Sequence, residues 1–157
     1  SHQVEGNNTQ NDWWAWEQKG KVENGETSGV STDHWNYFRE DLNLAAQMGL
    51  NSYRFSIEWS RWESSPGVWN QEAIDWYKEL IAECEKRKLK PCVTLHHFTS
   101  PIWFAERGGF LNPDSPAYFL RFVKKVVAEL GDRISLWCTF NEPMVLSTLQ
   151  KDYTVKF

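Results

Sequence analysis

The spacing of hydrophobic and polar positions changes along the chain, and these changes predict a helix followed by a strand. Apolar residues recur at three- and four-residue intervals over residues 33–49, as in a helix with one buried face. Asp33 could cap this helix and Gly49 could end it. Residues 51–59 then alternate apolar and polar side chains with the two-residue period of a strand.

The same order is repeated twice further along the chain. Asn70 could cap a second helix whose apolar stripe runs to Cys84, and residues 90–97 are typical of a strand. Ser115 could cap a third helix, which residues 134–140 follow as a third strand. Strands separated by helices of this length are connected by right-handed parallel crossovers, so the pattern predicts an α/β fold.

The number of residues from the start of one predicted strand to the next favours one α/β architecture. The strands begin near residues 51, 90 and 134, and eight units of about 40 residues would give roughly 330 residues, within the range of (β/α)8 barrels. A chain of 157 residues holds less than half of that. We therefore predict a partial (β/α)8 TIM barrel, roughly its first half. The glycine-rich turns of nucleotide-binding sheets do not occur in the sequence.

The two ends of the chain differ from this alternating region. Residues 1–32 are polar and rich in glycine and tryptophan, with neither helical nor alternating periodicity, so we interpret them as a long aromatic-rich loop. Residues 33–146 hold the βα units, and residues 147–157 form a divergent tail. All 157 residues are interpreted as a single N-terminal portion of one barrel.

Composition and charge exclude several classes of function. Lys and Arg number 17 against 21 Asp and Glu, giving a net charge of −4, which argues against nucleic acid as a partner. No apolar run approaches the roughly 20 residues of a membrane helix. The three cysteines, Cys84, Cys92 and Cys138, are odd in number and lack CxxC spacing, which favours a reducing compartment, the cytoplasm, over a disulfide framework or a zinc site.

Polar side chains that could carry chemistry stand at the ends of the predicted strands. His97 closes the second strand, and Asn141 and Glu142 follow the third, at the edge where parallel α/β sheets build their sites. Glu142 precedes Pro143, which stiffens the backbone, and its carboxyl group could donate a proton near neutrality. The alternative is that these are solvated residues capping a loop.

Arg54 is harder to place, because it alternates with Ser56 on one face of the first strand. That face would be the barrel interior, where an unpaired guanidinium is costly. We therefore expect an acidic partner. Glu58, Glu142 and a carboxylate from the rest of a complete barrel are the three candidates.

Four segments of the sequence resemble family 1 glycoside hydrolases of the β-glucosidase type. They are QVEG at 3–6, YRFSIEWSR at 53–61, TLHHFTSPIW at 94–103 and TFNEP at 139–143. The segments HQVEGNN and NDWWAWE are similar to those of the archaeal-type branch of this family. The resemblance implies a (β/α)8 barrel that cleaves β-glycosides with retention and needs no metal or organic cofactor.

The resemblance also implies roles for individual residues. Glu142 would be the general acid and base, and Asn141 would bind the sugar 2-hydroxyl. Gln3 and His97 would bind other hydroxyls. Arg54 would lie against the catalytic nucleophile, a glutamate in a TENG-like motif that this sequence does not contain.

Some positions depart from the family pattern. Phe98 stands where the family usually has Trp, and Thr99 and Ser100 replace a common Asp-Leu pair, so the rim of the sugar subsite would differ.

We therefore predict an N-terminal part of a retaining β-glycoside hydrolase that carries the acid and base but lacks the nucleophile. Its ligand would be a β-glycoside or a monosaccharide, and it would associate with the complementary barrel half or with itself. The alternatives are a non-catalytic carbohydrate-binding module and an assembly fragment of such a barrel.

Overall fold

The structure is a computed structural model that describes residues 2–152, with side chains described as far as Thr148. It opens with two short helices, α1 (His2–Glu5) and α2 (Asp12–Gln18). The prediction of a loop over residues 1–32 is wrong in these stretches. The Asn11 side chain accepts a hydrogen bond from the Trp14 backbone N–H at 2.8 Å, so a local cap starts α2 where no long apolar period exists.

From residue 19 to residue 152, the last that the structure describes, helices and strands alternate as the sequence pattern predicts, with additional short elements between them. Three 3₁₀ turns lie at Glu23–Gly25, Gly109–Leu111 and Gly131–Arg133. The remaining elements are α3 (His34–Gln47), β1 (Ser52–Ser56), α4 (Trp59–Trp62), β2 (Glu63–Ser65), β3 (Val68–Trp69), α5 (Gln71–Lys86), β4 (Lys90–His96), α6 (Ile102–Glu106), α7 (Ser115–Leu130), β5 (Leu136–Phe140) and α8 (Pro143–Asp152).

The main sheet has three parallel strands in the order β1-β4-β5. Its register pairs Arg54 with Cys92 and Thr94 with Cys138. The predicted parallel α/β arrangement is therefore confirmed. β2 and β3 form a separate antiparallel hairpin in the turn-rich stretch after β1. Of the proposed tail, residues 153–157 lie outside the described residues.

The helix ends match the sequence signals in part. The Asn70 side chain accepts from the Ala73 backbone N–H at 3.3 Å, and Gly49 has a φ of 76° just after α3. Both predictions are confirmed. Asp33 instead has a left-handed φ of 50° and accepts from the Asn36 side chain. Ser115 is the first residue of α7 rather than its cap, because the chain already turns at Asp114.

A continuous apolar core fills the space between the sheet and its helices. The predicted stripe of α5 is buried, from Ile74 to Cys84. Trp59 and Trp62 are fully buried, and the Trp59 ring stacks on Phe122 of α7 at 5.0 Å. Val127 of α7, by contrast, is exposed. This core holds the ends of the strands in fixed relative positions.

Among the described residues, no helix combines the length and the hydropathy needed to cross a membrane.

Candidate active site

Three of the predicted site residues meet where β4 and β5 end. The Asn141 backbone N–H donates to the His96 carbonyl at 2.9 Å, which continues the pairing of the two strands by one step. Asn141 and Glu142 follow β5, and His97 follows β4. Glu142 is exposed and has a left-handed φ of 45° directly before α8. A non-glycine residue in this region is strained, a condition often found at functional sites.

Arg54 joins this group through neutral oxygens rather than through a carboxylate. Its Nε donates to Thr94 Oγ1 at 3.0 Å and its guanidinium donates to Asn141 Oδ1 at 2.8 Å. Among the side chains that the structure describes, no ion pair includes Arg54, and its side chain is exposed. The expected pairing with Glu58 or Glu142 is therefore wrong, because Glu58 turns to hydroxyl groups beyond the strand end.

A cavity of about 360 Å³ brings Gln3, Arg54 and His97 together. Tyr53 and Phe55 also line it, although they point to the opposite face of β1 from Arg54. The cavity therefore passes around the edge of β1. Only the part on the Arg54 side of the strand belongs to the candidate site. Asn141 is linked to it through the Arg54 guanidinium.

The electrostatic surroundings of His97 link it to the acidic residues nearby. Burial lowers the pKa of His97, and the charge of Arg54 acts in the same direction. Glu142 and Glu58 lie close enough to oppose this shift. A neutral imidazole can both donate and accept a hydrogen bond, as contact with a sugar hydroxyl requires.

Gln3 reaches the cavity from α1, whose position is set by buried polar contacts. Glu5 accepts from Arg61 Nε at 2.8 Å and from the Tyr77 hydroxyl, and burial raises the pKa of Glu5. The neighbouring His2 ring contacts Glu17 at 2.9 Å. Gln3 itself is exposed between these anchors, so its amide is free to point into the cavity.

The contacts around the turn that follows β4 could not be predicted from the sequence. Thr99 donates to Glu58 Oε2 at 2.8 Å, and the Ser100 backbone N–H donates to Asp12 Oδ1 at 2.8 Å. Thr94, which binds Arg54, was also missed. Thr94 could have been found from the alternation of polar side chains on neighbouring strands. The Asp12 contact joins residues 88 positions apart, and no local signal predicts it.

No metal centre is evident in the part of the chain that the structure describes, since no three His, Cys, Asp or Glu side chains there could hold an ion together. The three cysteines are free.

Comparison with known proteins decides the family. The sequence family described as Glycosyl hydrolase family 1 matches residues 1–156. The chain belongs to glycosyl hydrolase family 1. The beta-glucosidase A of Acetivibrio thermocellus is 35% identical over 131 residues, which are 83% of this chain and 29% of that protein. The 6-phospho-beta-galactosidase of Clostridium acetobutylicum is 38% identical over 128 residues, 81% of this chain and 27% of the relative.

Solved structures of this family share the fold. The beta-glycosidase from Pyrococcus horikoshii is 44% identical, with a TM-score of 0.88 over 95% of this chain and 34% of the other. A beta-glucosidase from Thermotoga maritima in complex with castanospermine is 30% identical, with a TM-score of 0.90 over 93% of this chain and 35% of the other. The fold of this family 1 chain is thus part of a TIM barrel, as predicted, and it spans about a third of the length of these relatives.

Proposed function

We propose that this chain is the N-terminal part of a retaining β-glycoside hydrolase and that Glu142 is its general acid and base. The observation that carries the proposal is the meeting of Asn141, Glu142 and His97 at one sheet edge, with Arg54 bound to Asn141, in a member of family 1. Retaining hydrolysis needs one carboxyl group to protonate the leaving oxygen and a second, about 5 to 5.5 Å away, to attack the anomeric carbon.

The second carboxylate would come from outside this chain and would lie against Arg54. The guanidinium is held by two neutral oxygens, Thr94 Oγ1 and Asn141 Oδ1, so its positive charge is available to an incoming anion. A cation in contact with a carboxylate favours its ionised form, which is the form that acts as nucleophile. This arrangement supports the role proposed for Arg54.

Asn141, His97 and Gln3 would hold the sugar. The Asn141 oxygen accepts from Arg54, so its amide N–H groups are directed elsewhere and can donate to the sugar 2-hydroxyl. His97 and Gln3 line one cavity with Arg54 and would bind hydroxyls farther round the ring. The ligand would be a β-glycoside or a monosaccharide.

The partner in this proposal is the rest of the barrel. The chain covers 34% of the Pyrococcus horikoshii beta-glycosidase with a TM-score of 0.88, which supports docking of a complementary part against its free strand edges. Self-association is the expected behaviour without that part. We place the protein in the cytoplasm, which its three free cysteines favour.

The proposal is tested in a completed barrel, which we define as this chain fused to the portion of the Pyrococcus horikoshii beta-glycosidase that it does not cover. We expect hydrolysis of β-glucosides with retention of configuration. Glu142→Gln should lower the rate on an unactivated disaccharide by about 100- to 10,000-fold, since general acid catalysis supplies that much, and by less on an aryl glycoside with a good leaving group.

The matched control is Glu72→Gln, which removes an exposed carboxylate from the first turn of α5 and should leave the rates unchanged. A completed barrel that binds β-glucosides but hydrolyses none would contradict the enzyme proposal and favour the carbohydrate-binding alternative. Equal turnover by Glu142→Gln and the unmodified barrel would remove Glu142 from the mechanism.

A further inference from the structure

The turn that follows β4, residues 97–101, is held from two sides by polar groups; we call it the 97–101 loop. On one side, Asp12 and Ser100 exchange two hydrogen bonds, at 2.9 and 2.8 Å. On the other side, the Thr99 hydroxyl donates to Glu58 at 2.8 Å. Thr99 and Ser100 are buried, although they lie in a loop.

Without these contacts the loop would relax, because its backbone is strained at Phe98. That residue has a left-handed φ of 70°, which costs a non-glycine residue free energy and persists only where surrounding contacts enforce it. The Phe98 ring stacks on Trp13 at 6.0 Å. His97 directly precedes this strained residue, so its position depends on how the loop is held.

Glu58 is the least expected member of these contacts. Its side chain is buried, and its two oxygens accept from Ser60 at 3.0 Å and from Thr99 at 2.8 Å. Among the described side chains, no ion pair includes Glu58. A buried carboxylate held by hydroxyl groups alone is a poor source of stability, which calls for another reason for its place at the end of β1.

We infer that Glu58 is a positioning residue for the active site: through the Thr99 hydroxyl it holds the 97–101 loop so that His97 lies beside Arg54. The inference rests on the proposed function for its catalytic consequence, but the placement of His97 can be measured independently. Glu58 is not among the residues that line the cavity shared by Gln3, Arg54 and His97. It acts on His97 through Thr99 and the backbone.

The decisive variants differ in one hydroxyl group. Thr99→Val keeps the shape of the side chain and removes the donor to Glu58, whereas Thr99→Ser keeps the donor and removes a methyl group. The first readout is the NMR spectrum of the imidazole signals in the 157-residue chain, with the His97 signals assigned by their loss in His97→Asn. We expect Thr99→Val to shift and broaden the His97 signals and Thr99→Ser to leave them near those of the unmodified chain.

The second readout is kinetic and uses the completed barrel. Misplacement of a binding group by about 1 Å costs up to about 100-fold in rate, so we expect Thr99→Val to lower kcat/KM about 10- to 100-fold. The pH profile should keep its shape, because Glu142 is untouched. Thr99→Ser should recover most of the loss.

The outcomes separate this inference from the proposed function. His97 signals that are unchanged in Thr99→Val, or equally displaced in Thr99→Ser, would overturn the positioning role. A completed barrel without glycosidase activity would remove the proposed function, while the NMR comparison would still decide whether Glu58 places His97. If Thr99→Val loses its cooperative thermal transition, Glu58→Met replaces it, since Met has a similar length and no oxygen to accept from the Thr99 hydroxyl, and unchanged His97 signals in that variant overturn the inference.

Discussion

At the scale of single residues, Arg54 connects the strand interior to the strand ends. Its two hydrogen bonds run in different directions, from Nε to Thr94 and from the guanidinium to Asn141. The planar guanidinium of arginine can make both hydrogen bonds at once, whereas the ammonium group of lysine cannot reproduce that geometry. The substitution Arg54→Lys therefore keeps the charge and loses the orientation of Asn141.

We expect Arg54→Lys to lower kcat/KM of the completed barrel by about 100-fold, the cost of misplacing groups around the reacting atoms. Steady-state kinetics on a β-glucoside measures the effect. The control is Arg133→Lys, at an exposed arginine that pairs with Glu85, which should change kcat/KM little. If Arg54→Lys behaves like this control, the guanidinium does not orient Asn141 for catalysis.

The residues at the strand ends could be predicted from the sequence, but their contacts could not. His97, Asn141 and Glu142 each follow a periodic strand, and parallel strands bring such ends to one edge. Glu58 and Glu142 were wrong as partners of Arg54, because charge balance says only that a guanidinium needs oxygen atoms; the third candidate, a carboxylate from the rest of the barrel, stays a prediction. Which oxygens it finds depends on strand register and rotamers. The catalytic and binding roles stay predictions.

At the scale of elements, the position of α1 depends on a glycine that follows it. Gly6 has a φ of 83°, and a Cβ atom there would lie 2.2 Å from the Val30 carbonyl oxygen. Gly20 also has a positive φ, of 64°, but a Cβ atom would meet nothing within 4 Å. The two glycines thus share the backbone requirement and differ in the steric one.

We expect Gly20→Ala to lower the free energy of unfolding by about 1 to 2 kcal/mol, the cost of a left-handed alanine. Gly6→Ala should cost at least about 3 kcal/mol, because the backbone clash with Val30 adds to it. Denaturant unfolding of both variants measures the difference. Equal losses would mean that the turn at Val30 moves freely and does not fix α1.

The first residue of α2 makes stability depend on pH. Burial raises the pKa of Asp12 from 3.8 to about 8. The folded chain therefore binds this proton more tightly than the unfolded chain, so the stabilising contribution is complete below about pH 4 and is lost as the pH rises toward 8. Asp12→Asn keeps a side-chain oxygen for the Ser100 N–H and removes the titration.

We expect the free energy of unfolding of Asp12→Asn, relative to the unmodified chain, to rise by a few kcal/mol between pH 4 and pH 8. Urea unfolding at several pH values provides the measurement. Asp132→Asn, at an exposed aspartate beyond α7, is the control and should run parallel to the unmodified chain. If the free energy of unfolding of Asp12→Asn also changes with pH as it does in the unmodified chain, Asp12 is ionised in the folded chain.

Elements with a long period could be predicted, and short ones could not. Helices α3, α5 and α7 each bury a stripe that repeats over several turns, and that repetition is what the sequence pattern detects. α1 and α2 have 4 and 7 residues, too few for a period to emerge. Local caps and tertiary contacts, such as the bond from Asn11 to Trp14, determine them instead.

At the scale of the whole molecule, length alone indicated that the barrel is partial. Units of about 40 residues could not supply eight strands in 157 residues, and the chain spans 34% of a solved family 1 structure. The structure accordingly has a three-stranded sheet with β1 and β5 at its edges. An open sheet whose helices keep apolar side chains on their outer faces tends to associate.

The outer stripe of α3, which consists of Tyr37, Leu44 and the C-cap residue Met48, should drive self-association of the isolated chain. These side chains lie on one helical face and are 56%, 59% and 76% exposed. We expect the sedimentation coefficient to rise with protein concentration, and Leu44→Lys with Met48→Lys to weaken that rise without lowering the thermal midpoint. Val68→Lys, at an equally exposed valine in the β2-β3 hairpin, is the control. A sedimentation coefficient that is independent of concentration would show that the stripe is tolerated in water.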